Sequence, residues 1–272
     1  MQLGLRLGFA MQMMGGGAPS PSYDPDAQAL FARMAVQPDA TRKQLISDQF
    51  VAGKASTWWA KADAIHVSAA HASQAACLNW LGPAYTLLPV NNPSFVVDRG
   101  FNGDGVSSYL DTQLNPATAV GLKFMQNSGA LAIKVNDLIG ENANYLMGWT
   151  AGGSNGAGIQ PKAVGSRNQV RINGAATLGN ATTTPAEEAS LFCASRVDSA
   201  NQTVYLNGAS NRSTAVASVA MLNATLRIGS VAASSFRANQ WSFSFIGGGL
   251  TAAEVASLTA WANSYLTAVG VL

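Results

Sequence analysis

The sequence predicts a mainly β protein: an antiparallel jelly-roll β-sandwich with an N-terminal helical segment and a C-terminal helix. From Tyr85 onward, short alternating or apolar runs are separated by Gly, Asn, Asp and Ser turns, a spacing typical of sandwiches. Asn207-Gly208 predicts a two-residue hairpin turn, because both central positions of a type I′ turn need positive φ. Near the end of the chain, Thr251 to Glu254 has the form of a capping box, and apolar residues follow it at helical spacing.

Composition and periodicity divide the chain into three parts. We expect an N-terminal arm and linker over residues 1–25, a helical segment over 26–84, and the sandwich with its C-terminal helix over 85–272. Within the second part, apolar residues recur at helical spacing in successive stretches. One of these stretches predicts a helical segment around Trp58, Trp59, Ala62 and Ile65.

Large apolar residues of the N-terminal arm fall at odd positions. They include Leu3, Leu5, Leu7 and Phe9. An extended arm would carry them on one face, and leaving that face in water would expose a contiguous apolar patch. We therefore expect this assembly arm to contact another chain. A secretory signal peptide is the alternative, because small residues follow the apolar run.

Charge and cysteine content exclude several classes of protein. Charged residues make up 11% of the chain, and 16 basic and 14 acidic residues leave a net charge of +2. Because no basic run is longer than Arg42-Lys43, we expect no nucleic-acid partner. No apolar stretch reaches the roughly 18 residues of a membrane span, so we expect no membrane insertion. Cys77 and Cys193 lie in apolar runs and are predicted to be buried free thiols, with one disulfide as the alternative.

Three stretches of the predicted sandwich carry a family resemblance. They are residues 98–111 (DRGFNGDGVSSYLD), residues 195–208 (SRVD through VYLNG) and residues 226–254 (LRIG, WSFSFI and LTAAE). In this order they resemble the concanavalin A-like lectin and glucanase fold, the laminin-G-like jelly roll. The resemblance covers about residues 85–270 and implies a lectin-like sandwich.

A second resemblance spans nearly the whole chain. The stretch PDAQALFARMAVQPDATRKQLI, an LNW turn and the DRGFNGDG motif precede the sandwich, and this order is similar to a group of tailed-phage and prophage virion proteins. The resemblance implies a non-enzymatic structural or accessory protein of the tail, baseplate or head surface, possessing a lectin-like domain for host-surface glycans. Its partners would be other virion proteins and copies of itself. The alternative is a carbohydrate-binding adhesion module of a secreted or cell-surface bacterial protein.

The acidic residues do not form the pair that a glucanase needs. Glucanases of this fold place two carboxylates at alternating positions of one strand, so that both face the sugar. Glu187 and Glu188 are adjacent and would point to opposite faces of a strand, and Glu254 belongs to the capping box. Glu141 has no acidic neighbour two or four residues on, and neither histidine is accompanied by a Gly-x-Ser-x-Gly elbow. We therefore expect no catalytic residues and no enzyme.

Aromatic rings and planar amides, the groups that bind sugars, cluster around one predicted strand and its loops. The candidate ligand-binding residues are Tyr145, Trp149, Asn142, Asn144 and Asn155. The alternative is that Trp149 belongs to the core and that the Asn residues form turns.

Calcium is the one cofactor that the resemblance leaves open, because many lectins of this fold bind it through loop carboxylates. Asp104 and Asp111 are the candidates, and a turn-forming role for Asp104, which precedes a glycine, is the alternative. We expect no other cofactor and no zinc site, because two Cys and two His are too few without further ligands.

Overall fold

A computed structural model describes most of the chain beyond the N-terminal arm. The described residues are 22–137, 144–150, 156–163, 167–174, 178–179, 189–232 and 235–272. The predicted assembly arm with Leu3, Leu5, Leu7 and Phe9 lies outside them, so its contact with another chain stays a prediction.

Helices lie at the two ends of the chain, and strands fill the middle. The helices are α1 (Pro25–Ala32), α2 (Ala40–Lys54), α3 (Ser73–Ala76) and α4 (Ala252–Ala268), with a 3₁₀ turn at Trp59–Lys61. The strands are β1 (Ala62–Val67), β2 (Leu88–Val90), β3 (Ser94–Val96), β4 (Gly100–Asn102), β5 (Tyr109–Asp111), β6 (Gly129–Val135), β7 (Met147–Thr150), β8 (Gly156–Ala163), β9 (Arg167–Ile172), β10 (Leu178–Gly179), β11 (Leu191–Arg196), β12 (Asn201–Leu206), β13 (Ala209–Ala215), β14 (Arg227–Ile228) and β15 (Gln240–Gly247). None of the helices in the described ranges is long and apolar enough to cross a membrane.

The strands form two antiparallel sheets. Sheet A has the order β13-β12-β11-β6-β15-β4-β3, and β1 pairs with the remaining free edge of β15. Sheet B has the order β10-β9-β8-β7-β14-β5-β2. The two sheets and the terminal helices confirm the predicted fold class, a mainly β antiparallel sandwich with an N-terminal helical segment and a C-terminal helix.

The main core lies between the two sheets. From β5 across to β9, one register row of sheet B consists of fully buried apolar side chains, and its members are Leu110, Ile228, Met147, Ile159 and Val170. From sheet A, Leu131 and Ile133 of β6 are also fully buried. Because side chains alternate along a strand, Ala132 between them faces the opposite layer, where it pairs with Phe245.

A layer of aromatic rings joins the helices to the outer face of sheet A. Trp58 and Trp261 pack with ring centroids 5.4 Å apart. Trp58 also contacts Phe245 at 6.2 Å, and Trp261 contacts Phe243 at 6.0 Å, so both rings rest on β15. The indole Nε1 of Trp261 donates a hydrogen bond of 2.8 Å to the carbonyl oxygen of Gln49 in α2. The outer face of sheet A around β15 is therefore covered by α2 and α4.

The C-terminal helix begins at the capping box that the sequence predicts. The Thr251 hydroxyl accepts the backbone N–H of Glu254, and the Glu254 carboxylate accepts the backbone N–H of Thr251 at 2.8 Å. Lys61 pairs with the same carboxylate at 2.7 Å. Leu258 and Leu266 are buried on the inner face of the helix. Glu254 thus caps the start of the helix and attaches it to the 3₁₀ turn that precedes β1.

Strand β1 replaces the helix predicted around Ala62 and Ile65, and that prediction is wrong. The apolar spacing there suits a helix, but β15 offers a free edge, and β1 pairs with it so that Ile65 lies opposite Phe245. In a strand, Ile65 and His66 point to opposite faces. Ile65, which is opposite Phe245, faces the aromatic layer, and His66 faces away from it. The sandwich therefore includes part of range 26–84, and the domain limits themselves stay predictions.

The hairpin predicted at Asn207-Gly208 is confirmed. Both residues have positive φ, 47° and 86°, and they connect β12 directly to β13. A side chain at Gly208 would lie 3.3 Å from Ala256 and from Thr259 of α4. The tight turn therefore also lets the helix lie close to the sheet.

Two buried thiols and one buried imidazole of the sandwich are neutral and packed. Cys77 and Cys193 are buried free thiols, as predicted, and burial raises the pKa of Cys77 to about 12. His66 is fully buried, and desolvation lowers its pKa to about 4. Its ring nitrogens lie 2.8 Å from the Tyr85 carbonyl oxygen and 3.3 Å from the Ser244 hydroxyl, so the neutral ring is hydrogen-bonded on both sides.

Candidate functional site

The outer face of sheet B reaches solvent. Leu88 on the edge strand β2 is 54% exposed. Tyr109, Asp111, Arg171 and Arg227 are each partly exposed on other strands of the same sheet. Polar and aromatic side chains on an uncovered sheet face are available to a ligand.

One register row on this face, which we call the outer rung, holds two arginines. In register order across the sheet, the outer rung consists of Leu88, Asp111, Arg227, Gly148, Gly158 and Arg171. It faces outward because the adjoining row on the same strands is the buried apolar row of the core. Arg171 and Arg227 therefore flank two glycines, so the middle of the rung carries no side chains.

The ring of Tyr145 lies against the outer rung at Gly158. An ideal Cβ on Gly158 would lie 2.7 Å from Tyr145 Cδ1 and 2.9 Å from the Met147 carbonyl oxygen. Gly148 has φ of +136°, a conformation that other residues rarely adopt. The absence of a side chain at Gly158 lets the Tyr145 ring approach the backbone of the sheet so closely, whereas a Cβ at Gly148 would lie 2.1 Å from the Ala157 carbonyl oxygen on the neighbouring strand. The sequence-predicted Tyr145 is thus placed at the centre of the open face.

A second tyrosine supports one of the arginines. The guanidinium carbon of Arg227 lies 4.6 Å from the centroid of the Tyr109 ring, within the range of a cation–π contact. The Tyr109 ring lies 6.3 Å from that of Phe236. This stacking holds the cationic side chain of Arg227 over the sheet and reduces the freedom that it would lose on binding a ligand.

Trp149 belongs to the core. Its side chain is 1% exposed and packs against Phe124 with ring centroids 5.3 Å apart. It therefore presents no ring face on which a sugar could stack. Among the described residues, its indole Nε1 has no hydrogen-bond partner. A cavity of about 10 Å³, room for one oxygen atom or water, lies among Tyr145, Trp149, Ala157, Arg171 and Val231.

Asn144 is tied to the loop before β15. Its side-chain amide donates to the Phe236 carbonyl oxygen at 3.1 Å, and its own carbonyl accepts from Arg237 at 3.3 Å. It thus holds the chain next to Tyr145. The other two predicted amides, Asn142 and Asn155, lie outside the described residues.

Asp104 forms a turn and does not fit a calcium ion. One carboxylate oxygen accepts the backbone N–H groups of Val106, Ser107 and Ser108, each at 2.8 Å, and the other accepts the Ser107 hydroxyl at 3.0 Å. These bonds hold the pKa of Asp104 well below its ordinary value. Asp111 accepts the backbone N–H of Gln113 at 2.7 Å. In the part of the chain that the structure describes, no cluster of three or more Asp, Glu, His or Cys is placed to hold a metal.

Sequence reasoning missed the two arginines, although their signal is present in the chain. Arg171 lies between Val170 and Ile172, and Arg227 between Leu226 and Ile228. A charged residue flanked by apolar neighbours in a strand is expected to face outward. What the sequence does not contain is the register that places both arginines on one rung.

The sequence matches no protein-family model and no curated protein. Solved structures are similar in fold. The binding domain of botulinum neurotoxin serotype D is 9% identical with a TM-score of 0.53, and the match covers 74% of this chain and 51% of that chain. A mutant Trypanosoma rangeli sialidase that displays trans-sialidase activity is 13% identical with a TM-score of 0.53, covering 83% and 40% of the two chains.

A third similar structure is domain 4 of an extracellular GH43 arabinanase from Geobacillus stearothermophilus, in complex with arabinotriose. It is 14% identical with a TM-score of 0.47, and the match covers 73% of this chain and 98% of that chain. This chain spans about half of the toxin chain and 40% of the sialidase chain. At these identities, the feature shared with the toxin and sialidase structures is the β-sandwich fold.

The placement of Tyr145 on Gly158 predicts an energetic coupling between them. Gly158→Ala should destabilise the protein by about 1–3 kcal/mol, because the new methyl group meets the tyrosine ring. Tyr145→Ala in the same chain should recover part of that loss, and Gly82→Ala, where a methyl group meets nothing within 4 Å, is the matched control. Urea unfolding of the four chains of the cycle measures the coupling. Simple additivity of the two substitutions would contradict this placement of the ring.

Proposed function

We propose that this chain is a non-catalytic, lectin-like module that binds glycans on the outer face of sheet B and serves as a structural or accessory component of a phage virion. The observation that carries the glycan-binding part is the Tyr145 ring packed on Gly158, on the open face of sheet B where Arg171 and Arg227 lie on the same outer rung. Aromatic faces bind the apolar faces of pyranose rings, and the flanking guanidinium groups donate hydrogen bonds to sugar oxygens.

The arrangement of the sandwich supports this choice of surface. The outer face of sheet A around β15 is covered by α2 and α4, because Trp58 and Trp261 fill the space between these helices and the strand. A ligand of the described sandwich is therefore expected on sheet B. The toxin structure of similar fold is a binding domain, which is consistent with a binding role for this sandwich.

The proposal of no catalysis rests on the use of the carboxylates. Glu254 is engaged by the helix cap and by Lys61, and Asp104 by its own turn. Asp111, the carboxylate of the outer rung, has an arginine rather than a second acid as its register neighbour on β14. Glu141, Glu187 and Glu188 lie outside the described residues, and their spacing remains the argument against a paired acid and base.

The virion role rests on the resemblance of the chain's motif order to tailed-phage proteins and on the apolar arm. In this account the arm anchors the module to other virion proteins or to further copies of the chain, and sheet B faces outward. The alternative is the same glycan-binding module in a secreted or cell-surface bacterial adhesion protein. The two differ in the partner of the arm and share the sheet B site.

Glycan binding is tested with the purified chain on an array of neutral and acidic glycans. We expect selective binding that Tyr145→Ala weakens about tenfold or more, because the variant loses its stacking ring. Tyr23→Ala is the matched control, since Tyr23 is also a partly buried tyrosine but packs on Phe31 of α1. Absence of binding to every glycan, or equal loss in both variants, would contradict the proposed site.

The assembly role is tested by changing the face of the arm. Replacing Leu3, Leu5, Leu7 and Phe9 by Ser should leave a folded protein, with an unchanged melting temperature, that no longer incorporates into particles or multimers. Replacing the intervening Gln2, Gly4 and Arg6 by Ser is the control and should leave incorporation intact. Quantitative mass spectrometry of purified particles reads the outcome. A variant that fails to fold would show instead that the arm belongs to the core.

A further inference from the structure

We propose that the N-terminal arm of one copy docks its apolar face on an exposed apolar patch of a second copy, at the edge of the sandwich where β2 and β3 lie. This inference rests on the proposed function, in which the arm anchors the module, and it names the surface that receives the arm. That surface, which we call the edge patch, consists of Val36, Val96, Val97 and the open cavity beside them.

The cavity of the edge patch has a volume of about 320 Å³. Its apolar surface is supplied by Cys77, Leu87, Pro89 and Phe101, so it lies between the end of α3, the edge strand β2 and β4. Binding pockets of proteins measure about 300–1,000 Å³ and are lined mainly by apolar side chains. The cavity is therefore large enough to receive apolar side chains of a partner.

Exposed valines extend this apolar surface beyond the cavity. The side chains of Val36, Val96 and Val97 are 55%, 43% and 57% exposed. Val96 follows Phe95, whose ring centroid lies 5.2 Å from that of the cavity residue Phe101. Apolar surface of this kind, grouped around a cavity, is typical of an interaction site.

Hydrogen bonds place Val36 at the cavity and occupy a polar side chain of its lining. The backbone N–H of Ala35 donates to Gln74 Oε1 at 3.0 Å, and the Val36 carbonyl oxygen lies 2.9 Å from His71 Nε2. Gln74 lines the cavity, and its Nε2 donates to the Arg33 carbonyl oxygen at 3.0 Å. Because the Gln74 amide is engaged at both its oxygen and its nitrogen, the occupant that the cavity favours is apolar.

The sequence of the arm matches such a surface. On an extended chain, alternate side chains lie about 6.6 Å apart on one face, and in the arm they are Leu3, Leu5, Leu7 and Phe9. Two glycines lie at the intervening positions, where small residues let a backbone approach a surface closely. Arg6 is the only charged residue among residues 1–14. The arm therefore has the apolar character that the edge patch favours.

The root of the arm and the edge patch lie at opposite ends of α2. Asp24, which follows the arm and its linker, pairs with Lys54 at the C-terminal end of α2 at 2.7 Å. Arg42, in the first turn of α2, pairs with Asp98 at 2.9 Å, and Asp98 adjoins Val97. Twelve residues of helix separate Arg42 from Lys54, which corresponds to about 18 Å.

This separation favours a second copy as the partner of the arm. The linker between arm and root is residues 15–21, GGGAPSP, and a coil of this length spans about 15 Å on average. It would have to stretch along α2 to bring the arm to its own edge patch, whereas the patch of a neighbour can approach the root directly. Contact between opposite ends of two copies is head-to-tail, and its repetition builds a ring or a filament.

The edge patch is tested by sedimentation velocity of the full chain over a range of concentrations. We expect multimers larger than dimers. Val36→Ser combined with Val97→Ser should weaken their association about tenfold or more, because two apolar contacts are lost. Val120→Ser combined with Val197→Ser is the matched control and should leave association unchanged, since both valines are exposed outside the edge patch.

Disulfide trapping tests the occupant. One copy carries Phe9→Cys and the other carries Ser73→Cys, at a residue that lines the cavity. Because the two substitutions are on different chains, we expect oxidation of the mixture to link two copies on a non-reducing gel. Ser210→Cys replaces Ser73→Cys in the matched control and should give no link, since Ser210 is an exposed serine on β13, at the opposite edge of sheet A.

The outcomes separate this inference from the proposed function. A chain that stays monomeric at every concentration, a multimer that the edge-patch variant leaves unchanged, or equal trapping at Ser210→Cys would overturn the inference. A disulfide between Phe9→Cys and Cys77 of the same chain would show that the arm covers its own patch and would overturn the second copy as its partner. Glycan binding stays measurable in each variant, because none of these substitutions lies on a strand of sheet B, and its failure would overturn the glycan-binding proposal alone.

Discussion

The contact of Trp58 and Trp261 with β15 determines which surface of this sandwich is available to a ligand. Each large aromatic ring buries on the order of 150–250 Å², and these two rest on Phe245 and Phe243 in the space between the helices and sheet A. Both sequence ends of the described fold meet there, because Trp58 follows α2 and Trp261 lies in α4. This aromatic layer covers the outer face of sheet A at β15, whereas the outer face of sheet B is open.

The geometry of sheet B then follows from two residues without side chains. Gly158 leaves the space into which the Tyr145 ring packs, and Gly148 lies beside it on the neighbouring strand. The same rung places an arginine on either side of the two glycines. The register of sheet B therefore places an aromatic ring and two arginines on one open face, which is the arrangement that our proposal for glycan binding uses.

Much of this fold could be predicted from the sequence, because its signals are local. The turn at Asn207-Gly208 and the capping box at Thr251 are specified by adjacent residues, and the structure confirms both. Strand β1 could not be predicted, because its apolar spacing also fits a helix and only the free edge of β15 decides between them. The candidate site could be predicted only in part. Tyr145 is recognisable in the sequence as an aromatic residue in a strand region. The pairing of Arg171 with Gly158 is not, because it is a long-range property of the sheet.

The central claim is that ligands bind on the outer face of sheet B, and backbone amide chemical-shift mapping during titration with a bound glycan tests it most directly. The account predicts that the largest shifts fall on Tyr145, Gly148, Gly158 and Arg171. It also predicts that α4 and the outer strands of sheet A, including β13, show none. Shifts concentrated on α4, or on the edge of sheet A, would contradict the account.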